Sequence, residues 1–262
     1  MNVITIGVDL AKSVFQVHGV DAVGEVVVRK KLRRGQLRIF FESLPPCLIG
    51  MEACATAHFW AREIIALGHQ VKLMPPSYVK AYLRRQKNDA ADAEAICEAV
   101  TRPTMRFVPV KSAERQGVLV LHRTRELLVR QRTMLINAIR AHCAEFGIIA
   151  PQGARRAIEL VDQIGQAEPS LLPELARSAL FNLVDQLGTL AAQIRVLERR
   201  LLAWHRQDQA SQRLATIPGV GIITATALSA AVTDPSIFAP VGSSPLSWVS
   251  SRVKTRPAAR TV

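Results

Sequence analysis

Short β-branched apolar runs dominate the start of the chain, and their spacing predicts its first elements. Residues 2–9, 13–20 and 24–31 read as three consecutive strands separated by turn-sized gaps at Ala11-Lys12 and Asp21-Ala22. A short helix over 36–43 follows, then a buried strand at 47–52 and a helix over about 56–67 that Gly68 can cap. A strand at 69–74 is stopped by Pro75-Pro76, and Ala-rich helical sequence resumes over about 77–101. Three meandering strands followed by strand–helix alternation is the order of an RNase H-like α/β domain, although alternation alone fits many α/β folds.

From about residue 111 the period changes. Leu121, Leu128 and Leu135 repeat at seven and continue to Ile139 and Phe146, so one long helix is expected over 111–147, closed by Gly147 and Pro151. Leu183, Leu187, Leu190, Ile194, Leu197, Leu201 and Trp204 alternate by four and three, the pattern of a coiled-coil seam. An antiparallel hairpin, a dimerising arm or a bundle core would each produce it. Ile217-Pro218-Gly219-Val220-Gly221 then resembles the hairpin of a helix-hairpin-helix motif, in which Gly219 and Gly221 would let backbone N–H groups approach a phosphate. A plain helix–turn–helix connection is the alternative.

Composition adds a partner to this outline. The 262 residues carry a formal charge of +13 and only 5% aromatics, so cores must be built from aliphatic side chains and a polyanion is the expected ligand. Cys47, Cys54, Cys97 and Cys143 have no metal-type spacing and read as free thiols in a reducing compartment. The start of the chain lacks a signal peptide pattern and no stretch suits a bilayer span, which points to the cytoplasm and away from membranes.

The candidate chemistry is carboxylate chemistry. Asp9 closes the first strand and Glu52 the fourth, positions where a charge costs free energy unless partnered. Asp89 and Asp92 lie three apart on a predicted helix and share a face, although a helix start with favourable dipole placement also explains them. Four hard oxygen donors suit Mg²⁺ or Mn²⁺. Two such ions can support phosphodiester cleavage. Basic residues flank the acids: Lys12, Lys30, Lys31, Arg33, Arg34 and Arg38 on one side, Lys80, Arg84, Arg85 and Lys87 on the other. Residues 111–147 add seven basic against three acidic side chains.

The segments GVDLAKSVFQVHGVD, GMEACATAHFWAREI, KNDAADAEAI and IPGVGIITATAL closely resemble, in this order over roughly residues 1–238, the DEDD transposases of the insertion sequence 110 family, 1111-type branch, relatives of the Piv invertase. The resemblance implies a RuvC-like catalytic domain at 1–105 whose tetrad maps onto Asp9, Glu52, Asp89 and Asp92. It further implies a helical coiled-coil segment at 106–207 that would bring copies together as a homo-oligomer, and the start of a C-terminal transposase domain at 208–238. Family members excise and insert their own element, so DNA at element ends and target is the implied partner, and in some members a structured guide RNA directs the reaction. Rival readings are a structure-selective nuclease of the Holliday-junction type and a non-catalytic nucleic-acid-binding remnant.

After Phe238 the resemblance stops, and the tail 239–262 has poor periodicity with clustered Ser and Pro. Every junction in it permits the family residue under the genetic code if the reading frame is shifted. A frameshift near Phe238 is therefore expected, leaving a disordered tail, no assignable serine nucleophile among Ser243, Ser244, Ser247, Ser250 and Ser251, and a copy inactive for the full reaction.

Overall fold

In the first strands the apolar side chains alternate with small or polar ones, and that period of two builds a sheet with two differently covered faces. The structure, a computed structural model, describes residues 2–79, 82, 89–149, 164–166 and 171–232. The described residues fall into two compact units that divide between Ala113 and Glu114. No described helix is long and apolar enough to cross a membrane.

The first unit holds strands β1 (Thr5–Leu10), β2 (Val14–Val20) and β3 (Val26–Arg33), helix α1 (Gln36–Glu42), strand β4 (Leu48–Glu52), helix α2 (Ala57–Ala66) and strand β5 (Gln70–Met74). Helices α3 (Pro76–Val79) and α4 (Asp89–Ala99) complete it. The sheet order is β3-β2-β1-β4-β5, with β1 antiparallel to β2 and parallel to β4. At the β2–β3 turn the Asp21 carboxylate accepts from the Val23 and Glu25 amides at 3.0 and 2.9 Å, and Gly24 takes a φ of 87°. The third strand lies about two residues later than its pattern predicts, because Leu32 pairs with Phe15 and packs into the core. The helical stretch expected over 77–101 is present as α3 and α4, and what joins them lies outside the described residues.

One sheet face carries Ile6, Val8, Phe15, Val17, Ile49, Met51 and Leu73, which pack on Leu37 and Phe41 of α1 and on Ala57, Trp60, Ala61 and Ile64 of α2. The opposite face is smoother. Gly7 of β1 and Gly50 of β4 lie on it, and α4 rests against them. A Cβ on Gly7 would fall on the Ala93 carbonyl and the Cys97 amide, and one on Gly50 would lie 2.8 Å from Val100 Cβ. Ala95, Ile96 and Ala99 of α4 and Val100 just after it form their own apolar cluster with Met74 and Val79.

The second unit contains α5 (Ala113–Ala144), α6 (Glu174–His205), α7 (Gln209–Ala215) and α8 (Ile222–Ala231). The two 32-residue helices run antiparallel. Ile139 and Cys143 near the end of α5 meet Leu180 near the start of α6, and Val118 near the start of α5 meets Leu201 near the end of α6. Arg125 and Glu198 bridge them at 2.7 Å, and Trp204 Nε1 donates to Glu114 at 2.8 Å. Every residue of the seam from Leu183 to Trp204 is buried or half-buried within the chain, so the hairpin, one of the arrangements compatible with the pattern, is the one adopted. Residues 209–231 pack on the ends of the long helices as part of this unit: Asp208 caps α7 by accepting from the Ser211 amide at 2.6 Å and also accepts from Ser229 Oγ. Cys47, Cys97 and Cys143 are buried free thiols, and Cys54 is half-buried.

Two outcomes follow. Gly7→Ala forces α4 off the sheet or the backbone out of register. It should lower stability by about 1–3 kcal/mol or more, read as a fall in Tm of about 2–4 °C per kcal/mol. A second concerns His58, whose Nδ1 accepts from the Lys111 amide at 3.2 Å. Burial, then the charges of Lys111 and Arg62, push its imidazole from the usual 6.5 down to about 4. The unfolded chain therefore takes up this proton first, and the stability tied to neutral His58 is present above pH 6.5 and lost as the pH falls toward 4. Denaturant midpoints of a His58→Gln variant should vary less with pH across that window than those of the parent.

Candidate active site

Asp9 and Glu52 come together through strand register. Val8 pairs with Met51 in the parallel β1–β4 ladder, so the next residues, Asp9 and Glu52, end adjacent strands side by side. They share a face with Gly7 and Gly50, two residues earlier in each strand, and that is the face α4 covers. Both carboxylates are half-buried. The half-buried thiol of Cys54, which lies 4.0 Å from the Leu10 carbonyl, senses both. Burial first, then the charge of Glu52 and that of Asp9, raise its pKa.

Asp92 is the fourth residue of α4, and its Oδ1 is buried with no hydrogen-bond partner. Such an oxygen costs about 1–3 kcal/mol relative to a satisfied one, and a cation is one way to satisfy it. Asp89 opens the same helix, and its side chain lies outside the described residues. Among the described residues no three acidic, His or Cys side chains already stand at metal-ligating separations.

The basic residues separate by face. Arg33 is exposed on β3, and its cross-strand partner Val14 lies on the same side as Gln16, the partner of Asp9. Lys12 is exposed in the β1–β2 turn. Arg34 instead lies over the Phe15 and Trp60 rings at 5.9 and 5.3 Å, and Lys30 over Phe40 at 5.4 Å, which puts both on the α1–α2 side. Arg38 is held by Glu42 and Glu63 at 2.8 and 3.0 Å. Lys80, Arg84, Arg85 and Lys87 lie outside the described residues. Gly219 and Gly221 belong to the second unit, in the turn between α7 and α8, where Gly219 takes a φ of 84° and the space beside both glycines is open.

The transposase family model of the DEDD type, insertion sequence 110, matches residues 6–147, a span that holds all four acidic candidates. The chain belongs to this transposase family. It is 51% identical over 239 residues to a probable family 20 transposase of Pseudomonas aeruginosa, covering 91% of this chain and 71% of the relative. It is 43% identical over 235 residues to the transposase for insertion sequence element IS1328 of Yersinia enterocolitica, covering 89% and 69%. It is 38% identical over 229 residues to the transposase for insertion sequence element IS1111A of Coxiella burnetii, covering 87% and 63%. The chain thus spans between about three fifths and seven tenths of the lengths of its curated relatives.

Several residues at the site escaped the sequence reading. Gly7, Gly50, Cys54, Gln16 and His18 all lie beside the carboxylates or on their face. A signal for two of them was present: Gly7-Val8-Asp9 and Gly50-Met51-Glu52 repeat a glycine two residues before an acid at the ends of two strands. Gln16 and His18 carry no such signal, because only register brings them next to β1.

Without metal, Asp92→Asn should stabilise the protein. The unpartnered oxygen costs more than the roughly 0.3–1 kcal/mol a carboxylate gains near a helix N-terminus. The expected gain is about 1 kcal/mol, measured by chemical denaturation in EDTA. A variant less stable than the parent would show that Asp92 is already satisfied.

Proposed function

We propose that this transposase cuts and joins DNA phosphodiesters in an RNase H-like (RuvC-like) domain through Asp9, Glu52, Asp89 and Asp92. One observation carries the reading: the β1–β4 register sets Asp9 beside Glu52 at the carboxyl ends of the two central parallel strands, on the face covered by the helix that bears Asp92. The sheet order β3-β2-β1-β4-β5, an antiparallel meander continued by parallel strands, supports the domain assignment. The orphaned Asp92 oxygen and an all-oxygen donor set suit Mg²⁺ or Mn²⁺ held by these carboxylates. When bound, such ions activate a nucleophile and stabilise the leaving oxygen.

The protein's own residues supply position and field. Asp9 and Glu52 are fixed by two hydrogen-bonded strands, so their separation is set by the sheet and not by loop motion. Half-burial strengthens their charges relative to water. Lys12 and Arg33 stand exposed near the acids and would contact backbone phosphate without reading sequence. In the second unit, the turn between α7 and α8 carries Gly219 and Gly221 with open space beside both, which supports its reading as a helix-hairpin-helix whose backbone amides would approach a phosphate. The antiparallel long helices suit a coiled-coil segment. On α5, Val120, Leu127 and Met134 repeat at seven and remain 56%, 46% and 70% exposed, which supports association of copies through that helix. A guide RNA enters this reading through the family resemblance and the positive charge.

Asp9→Asn and Glu52→Gln should each reduce Mg²⁺-dependent cleavage of element-end DNA by more than the roughly 10–100-fold typical of losing an outer-shell metal partner. Thermal melting should also lose its dependence on added Mg²⁺. Undiminished cleavage by either variant overturns the assignment.

A further inference from the structure

Edge strand β3 has a consequence for which side of the sheet a nucleic acid can follow. Its pairing with β2 sets His18 opposite Arg29, Gln16 opposite Lys31 and Val14 opposite Arg33. Because β2 sets Gln16 opposite Asp9, Arg29, Lys31 and Arg33, three of the four basic residues of β3, lie on the face that carries the acids. Alternate residues along a strand are about 6.8 Å apart, and Lys31 stands two strand spacings, about 10 Å, from Asp9. Lys30 falls on the other face and sits over Phe40.

Helix α4 packs mainly over β1, β2 and β4 and reaches β3 through the Arg29–Glu94 pair. Between α4 and β3 runs a groove of about 380 Å³, lined among others by Gln16, His18, Arg29, Lys31, Ala91 and Glu94. That volume is at the small end of ligand pockets, roughly 300–1,000 Å³, room for one nucleotide within the groove. His18 in the floor is 5% exposed, and burial followed by Arg29 outweighs Glu94 in favouring its neutral form. A neutral imidazole can hydrogen-bond a sugar or base edge without competing for phosphate. Glu94 lies 3.9 Å from Arg29 and offsets part of its charge, whereas among the described residues Lys31 and Arg33 make no ion pair.

We infer that Arg29, Lys31 and Arg33 form a track for one DNA strand, which enters the acidic site along β3 with a nucleotide seated over Gln16 and His18. This rests on the cleavage reading above. It adds that the substrate strand is single at this point and follows the edge of the sheet. The line of cations matches an extended backbone, and a groove with room for one nucleotide favours a single strand over a paired one at this point.

The test uses the full chain in EDTA with three fluorescent probes of one sequence: single-stranded DNA, duplex DNA and RNA. Lys31→Gln with Arg33→Gln should weaken single-stranded DNA binding by about 10-fold or more at physiological salt. It should also lower the salt-dependence slope by about 1.4, two contacts at roughly 0.7 each. Lys30→Gln, at a residue that borders the groove but carries its ammonium over Phe40 on the opposite face, should leave both unchanged. An unaltered slope in the double variant, an equal effect of Lys30→Gln, or a loss confined to RNA or to the duplex overturns the inference. Thermal melting of each variant checks that folding is retained. Asp9→Asn run in parallel separates the two readings: it should bind single-stranded DNA in EDTA with the parent's slope and fail to cleave when Mg²⁺ is supplied. Normal cleavage by Asp9→Asn would sink the catalytic assignment and leave the binding result standing.

Discussion

The contact on which the candidate site depends is the seating of α4 on two glycines. Gly7 and Gly50 remove the side chains that would otherwise hold a helix at ordinary distance from a sheet. Close seating brings the helix that bears Asp92 against the sheet, while the same strands, two residues on, present Asp9 and Glu52. Backbone approach and acid placement are therefore one arrangement. A carboxylate oxygen left unpartnered at Asp92 is the free-energy cost that this fold tolerates there.

Around that contact, the period-two alternation of the strands sorts charge by side. The α1–α2 face takes the large apolar residues, and Lys30 and Arg34 reach it with their cations over aromatic rings. The α4 face takes glycines, acids and the cations of β3. Lys31 on β3 and Asp9 on β1 thus lie two strands apart, about 10 Å, a distance over which water screens exposed charges. A polyanion lying on the cations would be brought toward acids that repel it unless a cation intervenes, a combination suited to the proposed metal-dependent chemistry on phosphate.

The second unit is built on a different economy of contacts. Two long helices, stabilised mainly by tertiary packing, bury each other's leucine and isoleucine stripes at both ends, with Arg125–Glu198 and Trp204–Glu114 fixing their relative slide. The short helices α7 and α8 close one end through the shared Asp208 carboxylate. A second apolar stripe on α5 is left outward.

Local pattern was enough to locate the strands of the first unit and the first long helix to within a few residues, because burial of one face imposes a period on the side chains whatever the partner; the second long helix begins at Glu174, nine residues before its seam. It was also enough to single out Asp9 and Glu52, since an acid ending an apolar strand conflicts with its surroundings. The family could be read from four ordered motifs. The sequence could not say that Arg33 shares the acids' side while Arg34 does not, although the two are adjacent, because facing depends on register with β2. Nor could it say that the seam from Leu183 to Trp204 is filled by the chain's own α5, since a heptad pattern is satisfied equally by a neighbour in the same chain or in another. Periodicity fixes which residues want to be buried together; only the pairing of distant segments decides what they are buried against, and which charges are left facing one another.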